Sequence, residues 1–375
     1  MLKDPPVIVI GDILLSNIRP WKIFPDTTTD VMISSYELLT KRGILAKIRA
    51  RGGIRSFLEL DDKIKLWLDS GGYQIMRKGL NISIERIARI YEEIDADFYI
   101  SLDYPTLPGD SPRVREKKMR RNIKNFEFLI NRFPDKTIIP VIHFSPNLDD
   151  YNFLVNTYIE EYGCEKIAFG GFVPPLLSVK GTKKARIKGI LSLQYVALLA
   201  GRENIHVMGV GSATTISILH ALRIGSADSA SWRVKAAYGK IILPWGGERH
   251  VTNRKVNFGK KKLNREELNR LIDIISGIDH FPFSLPSYSK QNIEEFLNTN
   301  VFSRFENRAI FNAWVILHWA KIMPPKTGSF RSLYSLALQI RKISLEDIRN
   351  IWNNIDNVKQ KDLLDYLSSN EIRGN

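Results

Sequence analysis

The sequence predicts a (β/α)8 barrel over residues 1–250, followed by a mainly helical, basic region over residues 251–375. Three observations predict it. Apolar runs of strand length alternate with helix-length amphipathic segments through the first two-thirds of the chain, giving about eight strands in roughly 230 residues. Several of these runs end in a carboxylate, a histidine or a glycine turn. Near Asn253 the pattern gives way to a run of lysine and arginine and then to long apolar segments of helical period. An open doubly wound sheet is the alternative reading of the same alternation.

Strands are expected at Val7–Ile10, Val31–Ser35, Lys65–Asp69, Phe98–Asp103, Ile138–His143, Ile167–Gly171, Ile205–Val210 and Ala227–Ala230. Helices are expected at Ile84–Ile94, Arg113–Arg132, Tyr151–Tyr162, Lys184–Leu199 and Ala213–Arg223. Pro112 suits a first helical position, with Asp110 and Ser111 as cap candidates before it. Ahead of Lys65 the pattern is irregular. In the last third, Ala309–Ile322 is so rich in apolar and aromatic residues that it reads as a core helix, with His318 packed inside it. Leu345–Leu367 carries one or two further helices.

The chain holds 55 basic and 40 acidic residues, a net charge of +15. That surplus speaks of partners rather than of fold, and a polyanion such as nucleic acid suits it. A generally basic proteome would produce the same balance. Cys164 is the single cysteine, which excludes an intramolecular disulfide framework and a cysteine-rich zinc site. No segment approaches the ~18 apolar residues of a membrane span, and the start lacks a signal-peptide pattern. A cytoplasmic protein without a membrane partner is expected.

The organising stretch is Leu66–Gln74, LWLDSGGYQ. A buried strand ends in Asp69, and Ser70-Gly71-Gly72 then removes side-chain bulk where the chain turns. The pattern recurs. Asp103 ends the fourth strand, His143 the fifth, Gly170-Gly171 the sixth and Met208-Gly209-Val210-Gly211 the seventh, while the last carries Asp228. In a barrel all of these meet at the C-terminal face, where active sites lie. Two carboxylates there can divide a displacement at a sugar carbon, one attacking and one handling the leaving group's proton. If the leaving group is a nucleobase, Tyr73 and Met208 could supply stacking faces, and Asp103 could accept from a guanine-like amide and amine. Each has a plainer reading: Met208 as core filler, Asp103 as a turn or cap residue.

These residues carry a resemblance to the tRNA-guanine transglycosylase superfamily. Asp69-Ser70-Gly71-Gly72-Tyr73-Gln74 matches that family's DSGG(F/Y)Q motif, and Met208-Gly209-Val210-Gly211 its MGVG strand end. Ser101–Thr106, Phe169-Gly170-Gly171-Phe172 and Asp228–Trp232 resemble its base-recognition strand, glycine turn and archaeal-type nucleophile segment. More loosely, Ile33–Leu38 and Gly52-Gly53-Ile54 resemble its preceding segments, so the likeness spans about residues 30–245. It implies a (β/α)8 barrel in which Asp228 is the nucleophile and Asp69 the general acid/base. Asp103 would read the base between Tyr73 and Met208, with Ser70, His143, Gly170, Gly171 and Gly209 lining the pocket. No cofactor or metal is called for. Two departures stand out. His143 replaces the family's recognition glutamine, and the three-cysteine, one-histidine zinc site has no counterpart. A recognisable RNA-binding domain of the archaeal kind is not expected either. Such divergence resembles the DpdA-type enzymes, which place 7-deazaguanines such as preQ0 into DNA. DNA is therefore the favoured polymer over tRNA, with helper proteins as further partners. Arg254, Lys255, Lys260, Lys261 and Lys262 would contact the phosphates, or else form a solvated face. A non-catalytic nucleic-acid-binding barrel, and a glycosidase or nucleoside hydrolase, are the remaining alternatives.

Overall fold

The computed structural model describes residues 6–107, 109–172, 183–253, 261–320 and 329–355. Its main sheet is wholly parallel. The strands are β1 (Val7–Gly11), β2 (Asp30–Ser34), β3 (Lys65–Asp69), β4 (Phe98–Ile100), β5 (Ile138–Ile139), β6 (Val141–His143), β7 (Ile167–Gly170), β8 (Ile205–Val207) and β9 (Ser226–Ser229). They run in the order β5-β4-β3-β2-β1-β9-β8-β7-β6. The two ends of that order, β5 and β6, are one strand interrupted at Pro140, which has no N–H to give a ladder. The ring therefore closes through the chain itself, and the eight expected strand positions are all present. The fourth and seventh strands stop earlier than the sequence suggested, at Ile100 and Val207.

Side chains alternate between two environments, as the strand's two-residue period requires. Val9, Met32, Trp67, Ile100, Val141 and Ala168 fill the barrel interior. Their neighbours Val31, Ile33, Leu66, Leu68, Ile142, Ile167, Phe169 and Ala227 face the surrounding helices. Each fully buried valine, leucine, isoleucine or phenylalanine of that second set contributes about 1.5–3 kcal/mol of burial energy, which fixes the register against a one-residue slip. That parity decides the site. In β3, Trp67 points inward, so Asp69 does too; in β6, Val141 and His143 share a face. In β9, Ala227 points outward, so Ser226 and Asp228 point inward. The register places Ser34 beside Asp69, His143 beside Gly170, and Val9 beside Asp228.

The helices begin where their signals predict. Pro112–Arg132 starts on Pro112, and the Ser111 hydroxyl accepts the Val114 N–H at 3.4 Å. Ala213–Leu222 starts on a capping box between Ser212 and Thr215. Short helices at Pro20–Ile23, Ser35–Thr40, Ile44–Ala50 and Ile54–Leu58 occupy the irregular region before Lys65. Beyond the barrel, Arg265–Ser276, Lys290–Phe296, Phe305–Trp314, Ser329–Ile340 and Leu345–Asn354 are helical. Phe305–Trp314 continues as a π-helical turn, Val315–Trp319, whose His318 is half-buried beside Phe24 and His280. The expected extensions to Ile322 and Leu367 lie outside the described residues. Asn312 ties this region to the barrel: its amide donates to the carbonyls of Trp232 and Lys240, both at 3.1 Å, and its carbonyl accepts from Ile242 N–H at 2.7 Å. The helix that follows Asp228 is thereby braced from behind. No described helix is long and apolar enough to cross a membrane.

Candidate active site

Asp69 ends β3 with its side chain inside the mouth, 9% exposed. Its Oδ2 accepts from the Ser34 hydroxyl at 3.2 Å and the Gly71 N–H at 3.0 Å. No described residue hydrogen-bonds Oδ1. Burial pushes its pKa up from 3.8 to about 7, and the charges of Asp103 and Asp228 push the same way. Asp69 thus feels both other carboxylates named from sequence, and the three acidic residues share one electrostatic environment.

The glycines after Asp69 are required for two different reasons. Gly71 has φ +78°, and a Cβ there would lie 2.7 Å from the Cβ of Tyr36. A Cβ on Gly72 would lie 2.4 Å from Asp103 Oδ1 and 2.6 Å from the Asp103 carbonyl. The bare backbone of Gly72 is what lets Asp103 enter. Gly72→Ala is expected to destabilise the protein by about 1–3 kcal/mol through overpacking. The midpoint of urea unfolding measures this, and an unchanged midpoint would show that the loop yields freely.

Asp103 is buried three residues past the end of β4. Ser70 Oγ lies 3.4 Å from its Oδ1 and His143 Nε2 lies 2.9 Å from its Oδ2. His143 is therefore in direct contact with Asp103. Gly170 makes room for it, since a Cβ at that position would lie 2.8 Å from the imidazole Nδ1 and Cε1. Gly171 follows with φ +70°.

Asp228 holds the opposite side. Gly209, at φ +70°, turns its N–H onto Asp228 Oδ1 at 2.6 Å. Oδ2 has no hydrogen-bond partner among the described residues. Gly211 is pressed against the end of β9, where a Cβ would lie 2.0 Å from the Cβ of Ser229. Met208 is partly buried against the interior cluster, whereas Tyr73, on the first turn after Gly72, is 57% exposed.

Two residues at this mouth escaped the sequence reading. His206, one layer below Asp228, is buried. Its Nδ1 lies 2.9 Å from Ser226 Oγ, its Nε2 3.5 Å from Asp228 Oδ1, and its ring stacks on Trp67 at 4.6 Å. The signal was parity, since His206 alternates with the outward Ile205 and Val207. Asp12 follows β1 and pairs with Arg19 at 3.2 Å, with burial raising its pKa to about 6. It repeats the strand-end carboxylate seen at Asp69. Of the basic run, Lys261 lies 3.6 Å from Glu267 and the Lys262 backbone bridges to His250. Arg254, Lys255 and Lys260 lie outside the described residues. Among the described residues no cluster of three metal-ligating side chains occurs.

A closed parallel barrel with buried carboxylates gathered at its C-terminal mouth defines a (β/α)8-barrel enzyme. The chain belongs to the queuine tRNA-ribosyltransferase family, whose model matches residues 9–270, and its class is that of the pentosyltransferases. It is 27% identical to uncharacterized protein 306 of Sulfolobus islandicus rod-shaped virus 1 over 292 residues, 76% of this chain and 79% of that one. It is 23% identical to the tRNA-guanine(15) transglycosylase of Pyrococcus furiosus over 295 residues, 76% of this chain and 44% of that enzyme. With the tRNA-guanine(15) transglycosylase of Nanoarchaeum equitans it shares 29% over 201 residues, 52% of this chain and 45% of the relative. The chain thus spans less than half the length of these tRNA enzymes.

Proposed function

We propose that the protein exchanges guanine in a polynucleotide, with DNA as the favoured polymer, for a 7-deazaguanine such as preQ0, as DpdA-type enzymes do. Asp228 Oδ2 attacks C1′ of the target nucleotide, and the C1′–N9 bond breaks with its electron pair passing to guanine. Asp69, protonated, supplies the proton that guanine takes. The incoming base gives its N9 proton to Asp69 and attacks C1′, releasing Asp228 as carboxylate. Asp103 and His143 meet the base edge beside Ser70, Gly170 and Gly171, with Tyr73 and Met208 against its faces. The observation that carries this reading is that Asp69 is held near neutral pKa by burial and by the two carboxylates it would work with. An acid/base must change protonation twice per turnover, and a pKa near 7 lets it do so.

The preference for DNA is supported by the two departures from the family's pattern, His143 in place of the recognition glutamine and a solitary Cys164 in place of the zinc cysteines; the +15 charge suits either polymer. The names of the archaeal relatives favour tRNA. Labelled-guanine exchange on single-stranded DNA, duplex DNA and tRNA decides between them. Label entering DNA is the expected result; label entering tRNA alone would reassign the polymer. In duplex DNA the target must leave the stack for C1′ to be reached.

His206 fits this scheme as a positioning residue. Its Nδ1 is anchored on Ser226 Oγ at 2.9 Å, and its Nε2, which has no hydrogen-bond partner among the described residues, sits 3.5 Å from Asp228 Oδ1. The Gly209 N–H occupies Oδ1 and leaves Oδ2 for attack, with the His206 ring packed beneath the carboxylate. His206→Phe keeps an aromatic ring on Trp67 and loses both ring nitrogens; it is expected to slow label release in a single turnover about tenfold. His206→Gln should recover most of that rate. Equal loss in both would mean that packing on Trp67, and not the polar ring edge, is what matters.

A further inference from the structure

The helix Pro112–Arg132 begins at the barrel mouth, nine residues after Asp103, and carries a ridge of unspent positive charge. Arg113, Lys117, Arg121 and Lys124 follow one another at spacings of four, four and three, so they lie along one helix face, and all four are exposed. At 1.5 Å per residue the ridge is about 16 Å long. Its neighbours are already engaged. Lys118 pairs with Asp110 at 2.7 Å, Arg120 with Glu116 at 2.8 Å, and Arg115 donates to the Asp110 carbonyl at 3.0 Å. Among the described residues no carboxylate lies within ion-pair reach of Arg113, Lys117, Arg121 or Lys124. A merely solvated face would more often be interleaved with acidic residues, as Glu116 interleaves with Arg120.

The ridge is also tied to the base-reading segment. The Arg121 guanidinium lies 3.7 Å over the ring of Tyr104, the residue after Asp103. Asn122 Oδ1 accepts the Tyr104 N–H at 2.8 Å, and Asn125 Nδ2 donates to the Leu102 carbonyl at 2.9 Å. These contacts hold the helix against Leu102 and Tyr104, so a strand lying on the ridge is held in register with Asp103.

We propose that this ridge binds the phosphodiester backbone of the polynucleotide strand next to the target nucleotide. The inference rests on the nucleic-acid substrate proposed above, but its test does not require turnover. The triple variant R113Q/K117Q/K124Q retains Arg121 on Tyr104. In an Asp228→Asn background, anisotropy titrations use a labelled single-stranded DNA, its duplex and a transcribed tRNA across a range of salt. Affinity for at least one polymer is expected to fall tenfold or more. The slope of log K against log salt is expected to shrink by about 2 to 3, roughly 0.7–0.9 for each phosphate that is no longer neutralised. An equal-charge control, R42Q/K47Q/R51Q on the helix Ile44–Ala50 and its flanks, should leave both near the parent value. The proposal is overturned by an unchanged slope, by an equal loss in the control, or by no salt-dependent binding of any polymer to the parent. If binding tracks the ridge while the wild-type protein exchanges no base, the ridge stands and the transglycosylase reading fails.

Discussion

Asp228→Asn is expected to reduce guanine exchange by at least about 10³-fold while leaving the barrel folded. The substitution is nearly isosteric, and the amide oxygen can still accept the Gly209 N–H that reaches Asp228 Oδ1 at 2.6 Å. What it lacks is the anionic second oxygen, which in the native protein has no described partner to blunt it. An amide is a poor nucleophile and a poor leaving group, so both halves of the double displacement stop. Initial rates of labelled-guanine incorporation measure the loss, and urea unfolding of the same sample shows that the fold survives. Activity within tenfold of wild type would remove Asp228 from the nucleophile's role. Asp228→Ala should match the asparagine variant in rate, because the missing group is the same.

The second large effect concerns Asp69 and pH. Burial, aided by Asp103 and Asp228, raises its pKa from 3.8 to about 7. The first half-reaction needs the protonated form, so kcat/KM is expected to fall about tenfold per pH unit above pH 7. Stability follows the same proton. The folded pKa is raised, so folding takes up a proton between the two values. The resulting stability is fully present below about pH 4 and is lost as pH rises through 7. The move corresponds to about 4 kcal/mol against the ionised form at pH 8. Asp69→Asn removes that charge. It is expected to stabilise the protein at pH 8 by up to about 4 kcal/mol, to change it little at pH 4, and to cut exchange by 10²-fold or more. A gain in stability coupled to a loss of activity marks a group kept at a cost to the fold. Loss of stability at pH 8 in Asp69→Asn would show that the carboxylate is held by its hydrogen bonds from Ser34 and Gly71 as a structural anion.

Much of this site was legible because strand-end chemistry and strand parity are both local. Trp67 and Asp69 are two residues apart, and Val141 and His143 likewise, so an inward core residue announces an inward polar one. The glycines were legible as turns, yet their reasons were not. That Gly72 is bare for Asp103 and Gly170 for His143 depends on residues about 30 positions away. His206 was hidden for the same reason. In sequence it is a lone histidine between Ile205 and Val207, and only the closed ring brings it beneath Asp228. Pro140 showed in sequence, but its effect, dividing one strand into β5 and β6, depends on the ladder around it. The ridge on Pro112–Arg132 was passed over for the denser run near Lys260, because net charge along a sequence does not reveal which cations are already paired.

The claim beneath all of this is that Asp69 and Asp228, 159 positions apart in the chain, grip one sugar from the two sides of the barrel mouth and that Asp228 carries it covalently. The most direct measurement is to mix the protein with a guanine-containing strand that it exchanges, quench in denaturant without added base, digest, and map the nucleotide-bearing peptide by mass spectrometry. The nucleotide should be found on Asp228 in the wild type and at reduced yield on the same residue in Asp69→Asn. An adduct on any other residue, or undiminished exchange with no adduct at all, would contradict it.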